Sequence, residues 1–298
     1  FTSQLSAAPV IEKAETGNPN IKTINVISFA PDGVLLIGDG GGSQIVAIET
    51  GDTTPIDAVS EPIADFQKKL AGHLGAPADG IEILDIAANP ASGRVYLAVR
   101  RQADKQYVIV TVGTGGAIGE LELDNVRYAS VGLSSGEARV SLVTDVAWAD
   151  DRIVAAGRSN ETFSSRIFSV YTPLKHSSTT DSFSAETFHV SHRKWETKAP
   201  MSVVIPFREN GKTYVVGAFS CTPVVKYPLD SLKPGANVKG ESVLELGSGN
   251  RPIDMFIYSK GGKSYVLSNT FRFHHSRKAF GPSPYWTVKF EQGVLAED

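Results

Sequence analysis

Hydrophobic runs of four or five residues recur along the chain, each opening on a short polar side chain, turning at a glycine or aspartate and returning as a second apolar run. The pattern reads Asn25-Val26-Ile27-Ser28-Phe29 turning at Gly33, Asp85-Ile86-Ala87-Ala88 turning at Gly93, and Asp145-Val146-Ala147-Trp148 turning near Asp151. It returns at Ser202-Val203-Val204-Ile205 turning at Gly211 and at Asp254-Met255-Phe256-Ile257 turning at Gly262. Apolar runs of this length bounded by turn residues are strands rather than helices. Second strands follow at residues 34–38, 94–98, 152–156, 212–216 and 263–267, and third strands at 44–48, 107–110, 166–170, 224–227 and 286–290. Fourth strands fit at 120–123, 186–190 and 242–246.

The starts at positions 25, 85, 145, 202 and 254 are spaced by 60, 60, 57 and 52 residues. Repeats of about this length built only of short strands predict an all-β fold, a single β-propeller of five blades with four antiparallel strands each, six being the alternative. One domain over residues 1–298 follows. The fifth unit ends after its third strand, while residues 9–13 (PVIEK) have no place in the first unit. The N-terminal strand is therefore expected to close the ring as the outer strand of the fifth blade, which removes an exposed sheet edge. One stretch departs from the β pattern. Ile63, Phe66, Leu70 and Leu74 make a helical stripe, so a helix is expected over residues 61–74, with Ser60 as N-cap, Pro62 in its first turn and Gly75 as its stop.

Composition narrows the function classes. A hydrophobic share of 41% with 20% charged residues is enough to build a sizeable core. The formal charge of -3 gives no general attraction to nucleic acid or to an anionic bilayer. No apolar run reaches the ~18 residues of a membrane helix, so neither nucleic-acid binding nor membrane insertion is expected. The one cysteine, Cys221, rules out an intrachain disulfide and any CxxC knuckle. The chain opens Phe1-Thr2-Ser3 without Met, as a matured exported protein would, and a secreted or periplasmic location is the expectation.

In antiparallel blades the first strands begin, and the second strands end, on the same face of the disc. That face is expected to gather Asn25, Asp85, Asp145, Ser202 and Asp254 near the axis. A calcium ion takes six to eight oxygen ligands, so Asn25, Asp85, Asp145 and Asp254 are candidate metal ligands. The alternative is that each polar residue caps its own turn. Cys221 with His192 and one of His274 and His275 would instead suit copper or zinc, because thiolate and imidazole favour transition metals. The loops His192–Lys198 and Arg272–Lys278 concentrate positive and aromatic side chains in an acidic protein. His192, Lys194, Trp195, Lys198, Arg251, Arg272, His274 and His275 are the candidate ligand-binding residues: arginine clamps carboxylate or phosphate and tryptophan stacks on a ring. Trp286 is assigned to the blade core. The glycine runs 38–42 and 113–116 lack the helix and the Lys-Ser/Thr of a phosphate loop and are turns. No GxSxG, HExxH or EF-hand pattern occurs.

The units resemble the β-propeller class, in particular bacterial exported repeats with an Asp-opened inner strand followed by a Gly turn and a Tyr/Val-rich second strand. Residues 250–255 (NRPIDM) and 262–267 (GKSYVL) match best. Five-bladed glycosidases resemble this plan and set three carboxylates on inner strands; the resemblance would assign those places to Asn25, Asp85 and Asp145, where Asn25 departs from the pattern. Six-bladed lactonases hold a channel metal with acids and amides, matched in part by Asp85, Asp145, Asp254 and Asn25.

Three functions compete on this reading. The first is an exported binding or interaction propeller that takes a small anionic ligand or a partner protein. The second is a metal-assisted hydrolase or lactonase in which a cation polarises a carbonyl and an Asp serves as base. The third is a metal-binding subunit of a redox complex.

Overall fold

The computed structural model describes residues 9–57, 59, 61–135, 138–159, 165–189, 193–196, 200–220, 223–247, 249–272 and 283–296. In chain order the elements are β1 (Ile11–Lys13), β2 (Glu15–Gly17), β3 (Val26–Ala30), β4 (Val34–Asp39), β5 (Gln44–Glu49), α1 (Phe66–His73), β6 (Ile81–Ala88), β7 (Val95–Arg101), β8 (Tyr107–Val112) and β9 (Ile118–Leu121). Then come β10 (Val126–Ser135), β11 (Ala138–Ala149), β12 (Arg152–Ser159), β13 (Ser165–Tyr171), β14 (Leu174–Lys175), β15 (Ser178–His189), β16 (Lys194–Glu196) and β17 (Met201–Glu209). The last are β18 (Lys212–Phe219), β19 (Pro223–Pro228), β20 (Asn237–Glu245), β21 (Asn250–Lys260), β22 (Lys263–Arg272) and β23 (Tyr285–Glu291). The chain forms two compact units, Phe1–Gly132 with Val170–Thr179, and Leu133–Ser169 with Thr180–Asp298.

In the first unit, β3–β4–β5 and β6–β7–β8–β9 are antiparallel meanders. All six residues of β4 (VLLIGD) are buried, as an apolar central strand covered on both faces must be. The two meanders pack through Ile27, Phe29, Leu35, Ile37, Tyr96, Ala98 and Ile109. Two carboxylates tie loops to this core. Asp39 accepts the backbone N–H groups of Lys22, Thr23 and Gly42 at 3.1, 2.9 and 2.9 Å. Asp52 accepts from Ser92 Oγ, Tyr96 Oη and Asn89 Nδ2 at 2.7, 3.0 and 3.1 Å and lies 3.3 Å from Arg94 Nε. Burial and the neighbouring Asp52 charge push the Tyr96 phenol up to about 12.

Two expectations are corrected here. The N-terminal strand does not join the final meander: β1 runs parallel to β14, with Ile11 opposite Leu174, and β2 pairs with β10. The reason is burial, because Val10, Ile11 and Leu174 are all buried where they lie. The outer partner of β5 is β10, arriving after the whole second meander, with Ser130 opposite Val46. The helix begins at Phe66, not at 61, because Asp65 takes a left-handed φ of 52° and a helix cannot run through it. The predicted cap Ser60 lies outside the described residues. The apolar stripe still converges, since Ile63, Phe66, Leu70 and Leu74 pack with Leu97, Val99 and Val110. Burying Leu70 contributes roughly 1.5–3 kcal/mol. The helix stops as expected: Gly75 has φ 65°, and Ala76 N–H bonds Ala71 O at 2.8 Å across it, a Schellman closure.

The second unit contains the meanders β11–β12–β13–β15, β17–β18–β19–β20 and the three-stranded β21–β22–β23. Between the first two lie Ala147, Val154, Ala156, Ile167, Met201, Val204, Val215 and Tyr227. Between the second and third lie Val203, Ile205, Phe207, Val216, Met255 and Val266. Successive antiparallel meanders of this kind are the blades of an all-β chain of the β-propeller class.

Candidate functional site

The aspartates that open the inner strands sit at β-bulges. Strand register slips between Ile83 and Asp85 in β6, between Val143 and Asp145 in β11, and between Pro252 and Asp254 in β21. A bulge re-aims the side chain that follows it. At all three, Oδ1 turns back to accept the N–H of the next residue, Ile86, Val146 or Met255, at 2.8, 2.7 and 2.7 Å.

The second oxygen separates them. Asp85 Oδ2 accepts Ile27 N–H of β3 at 2.7 Å, and Asp145 Oδ2 accepts Val204 N–H of β17 at 2.6 Å. In both, the acceptor staples one meander to the first strand of another. Asp254 has no such bond among the described residues; Met255 N–H is the one hydrogen-bond donor to its carboxyl there, Ser268 Oγ donating to its backbone carbonyl. Burial pushes its carboxyl above the ordinary 3.8, against the opposing pull of the Met255 N–H.

The face on which Asp254 lies also differs. Paired residues of an antiparallel sheet share a face, so register assigns one face of β21–β22–β23 completely. Its rows are Arg251, Phe271 and Tyr285; then Asp254, Asn269 and Thr287; then Phe256, Leu267 and Lys289; then Tyr258, Tyr265 and Glu291; then Lys260 and Lys263. Every one of these is exposed or half-buried, with Phe256 at 47% and Tyr285 at 60%. The opposite face carries the buried Met255, Val266, Ser268 and Thr270. Two aromatic zones therefore flank a short polar row. Phe271 meets Tyr285 edge-on at 5.4 Å, and Tyr258 lies 5.5 Å from Tyr265. Thr287 Oγ1 donates to Asn269 Oδ1 at 2.9 Å, Lys289 Nζ stands 4.6 Å above the Tyr265 ring, and Lys263 pairs with Glu291 at 2.8 Å.

The sequence-predicted residues scatter. Arg251 and Asp254 share this face. Arg272 was expected to clamp a ligand but is only 4% exposed: its guanidinium stacks 3.5 Å from the Trp286 ring centroid and donates to the Ser283 carbonyl. Strand β22 extends through Arg272, and alternation turns its side chain to the covered side. Trp286, expected in the core, is 52% exposed as the outer layer of that stack. Trp195 lies in β16, opposite Phe188 of β15, 45% exposed with Lys239 Nζ 4.8 Å from its ring. Lys194 is the neighbouring residue of the same strand. His192, Lys198, His274, His275 and Cys221 lie outside the described residues. Asn25 Oδ1 accepts Gly40 N–H at 2.9 Å, so it caps the turn between β4 and β5 rather than its own. Among the described residues no three His, Cys, Asp or Glu side chains gather as a metal site.

The sequence reading missed Phe256, Tyr258, Tyr265, Phe271, Tyr285, Thr287 and Lys289. Their signal was present as a period-two pattern that places alternate residues of three consecutive strands together. The first unit offers a cavity of about 600 Å³ lined by Ile21, Ile24, Tyr107, Ile109, Leu121 and Asp124 among others. Its rim is largely self-satisfied: Arg101 bonds Asp104 and Gln106, and Asn18 bonds Asp124.

No protein-family model matches the chain, and no curated protein matches it in sequence. Among solved structures it is similar to a mutant alpha-L-arabinanase from Cellvibrio cellulosa, with TM-score 0.39 and 11% identity over 94% of this chain and 92% of that one. It is also similar to a protein of unknown function from Bacteroides caccae, with TM-score 0.31 and 12% identity over 96% and 85%. An alpha-L-arabinofuranosidase from Lactobacillus brevis gives TM-score 0.37 and 10% identity over 95% and 91%. Likenesses this loose transfer no activity; the site stands on its own residues.

Proposed function

We propose that the protein is an exported binding module whose ligand, small and anionic or part of a partner molecule, lies on the face of β21–β22–β23. The observation that supports this is the composition of the face. The equivalent faces around Asp85 and Asp145 are lined by Ala87, Tyr96, Ala98 and Ile109 and by Ala147, Val154 and Ala156, all packed. The face around Asp254 carries aromatic rings, short hydrogen-bonding groups and three cations, Arg251, Lys260 and Lys289, without an ion pair among the described residues. Rings and convergent polar groups are what a ligand surface needs.

The test is titration of the purified chain with anionic probes of several classes: inositol hexakisphosphate, heparin fragments, triglutamate and trigalacturonate. Tyrosine and tryptophan fluorescence is the readout. At least one class binds, and Lys289→Glu weakens it tenfold or more. Absence of binding by every class, or binding indifferent to Lys289→Glu and Arg251→Glu, overturns the reading.

A second reading, a hydrolase, has one specific observation in its favour. A carboxyl whose pKa is raised by burial, with one oxygen that has no hydrogen-bond donor among the described residues, is suited to donate a proton to a leaving group. Slow hydrolysis of a bound probe that disappears in Asp254→Asn would favour it.

A further inference from the structure

Three observations on this face bear on what its ligand is made of, and the inference drawn from them rests on the binding reading above. The first is the equivalence of the three bulge aspartates. At this position Oδ2 is aimed to accept a donor from outside its own strand, and it does so at 2.7 Å in Asp85 and 2.6 Å in Asp145. Asp254 repeats the bulge and the Oδ1 bond, which leaves the same acceptor direction to a hydrogen-bond donor.

The second observation is the order of the rows. Alternate residues along a strand are spaced by roughly 6.7 Å, so the polar row Asp254–Asn269–Thr287 has aromatic rings one row away on both sides. A molecule with flat C–H-bearing rings and a rim of hydroxyl groups matches that sequence of surfaces. The rings lie on Phe271 and Tyr285 on one side and on Phe256, Tyr258 and Tyr265 on the other, and the hydroxyls meet the polar row. The third observation is charge. Beyond the Lys263–Glu291 pair, Arg251 stands at one end of the face and Lys260 and Lys289 towards the other.

We infer that the face binds an acidic oligosaccharide, its sugar rings on the two aromatic zones, a ring hydroxyl donating to Asp254 Oδ2, and its carboxylates paired with Arg251 and Lys289. An acidic peptide would satisfy the cations and would offer Asp254 Oδ2 a backbone N–H, as Ile27 and Val204 do for the other two aspartates, but it lacks the flat C–H-bearing rings that match the two aromatic zones.

The experiment compares trigalacturonate, neutral maltotriose and triglutamate by calorimetry on the full chain, with saturation-transfer NMR on the bound sugar. Trigalacturonate is expected to bind at least tenfold tighter than either other probe, with saturation passing from aromatic protons to sugar ring protons. Asp254→Leu is expected to weaken it about tenfold, while Asp254→Asn, which keeps an acceptor oxygen, loses less. The NMR contact is read on the native protein, so it holds even if a variant folds poorly. Should triglutamate bind as tightly as trigalacturonate and lose affinity in Lys289→Glu, the ligand class is wrong while the binding face stands. Should trigalacturonate bind with no change in Asp254→Leu, the hydroxyl contact is overturned. If no probe responds to Lys289→Glu, the face and the inference fail together.

Discussion

The sheet faces that carry Asp85 and Asp145 are covered by neighbouring meanders, while the described residues on the face that carries Asp254 are all exposed or half-buried. All three carboxyls sit at a bulge in a first strand and fold one oxygen onto the next N–H. The first two give the other oxygen to a backbone N–H of an adjacent strand, amid Ala, Val and Ile. The third stands among Phe256, Asn269, Tyr285 and Lys289. The lesson is that one local motif has been kept as a structural staple twice and placed on a chemically different surface once.

The largest effect expected from breaking that comparison is on stability. Asp145→Ala leaves the N–H of the buried Val204 without its acceptor and should cost about 1–3 kcal/mol. Asp85→Ala should behave similarly through Ile27. Asp254→Ala removes only the Met255 bond and should cost about 1 kcal/mol or less. Urea unfolding of the three variants checks the order, and equal losses at all three would show that Asp254 is a staple as well.

The staples also show how far the sequence could be read. The five polar openings were legible, as were the strand order within each meander and the three-strand ending, because apolar period and turn residues are local signals. Which aspartate finds a second partner was not, since the N–H that fills Asp85 is 58 residues away and the one that fills Asp145 is 59. The same non-locality hid β10 as the outer partner of β5 and the pairing of β1 with β14. Arg272 was misplaced for a different reason: a basic residue beside aromatics reads as a loop, yet β22 continues through it and alternation buries it under Trp286.

A smaller effect, opposite in sign at two residues, is expected from pH. Burial works against the Asp52 carboxylate, but bonds from Ser92, Tyr96 and Asn89 and the Arg94 charge outweigh it and hold its pKa below 3.8. The folded state therefore binds fewer protons there, and the stability that Asp52 contributes is present above pH 3.8 and lost as pH falls through its lowered value. Asp254 runs the other way. Its folded pKa is raised, so stability falls as pH climbs from 3.8 through the raised value and is level above it. Asp254→Asn should flatten that decline and Asp52→Asn should flatten the acid limb, as read by thermal unfolding between pH 3 and pH 7. A decline that survives in Asp254→Asn would assign it to another group.

The smallest expected effect distinguishes an open face from a face awaiting burial within the fold. Tyr285 is 60% exposed and Phe256 47%, so Tyr285→Ser and Phe256→Ser should change stability by no more than about 0.5 kcal/mol each, the range of surface substitutions. Ala156 and Val154, at the equivalent face of the Asp145 meander, are fully buried, and Val154→Ser should cost several times as much. The aromatic pair should instead matter for binding, where loss of a stacking ring weakens the ligand without moving the unfolding midpoint. A large loss of stability in Tyr285→Ser and Phe256→Ser would mean that these rings are packed in solution. The face around Asp254 would then belong with the other two, and the ligand would have to be sought elsewhere on the chain.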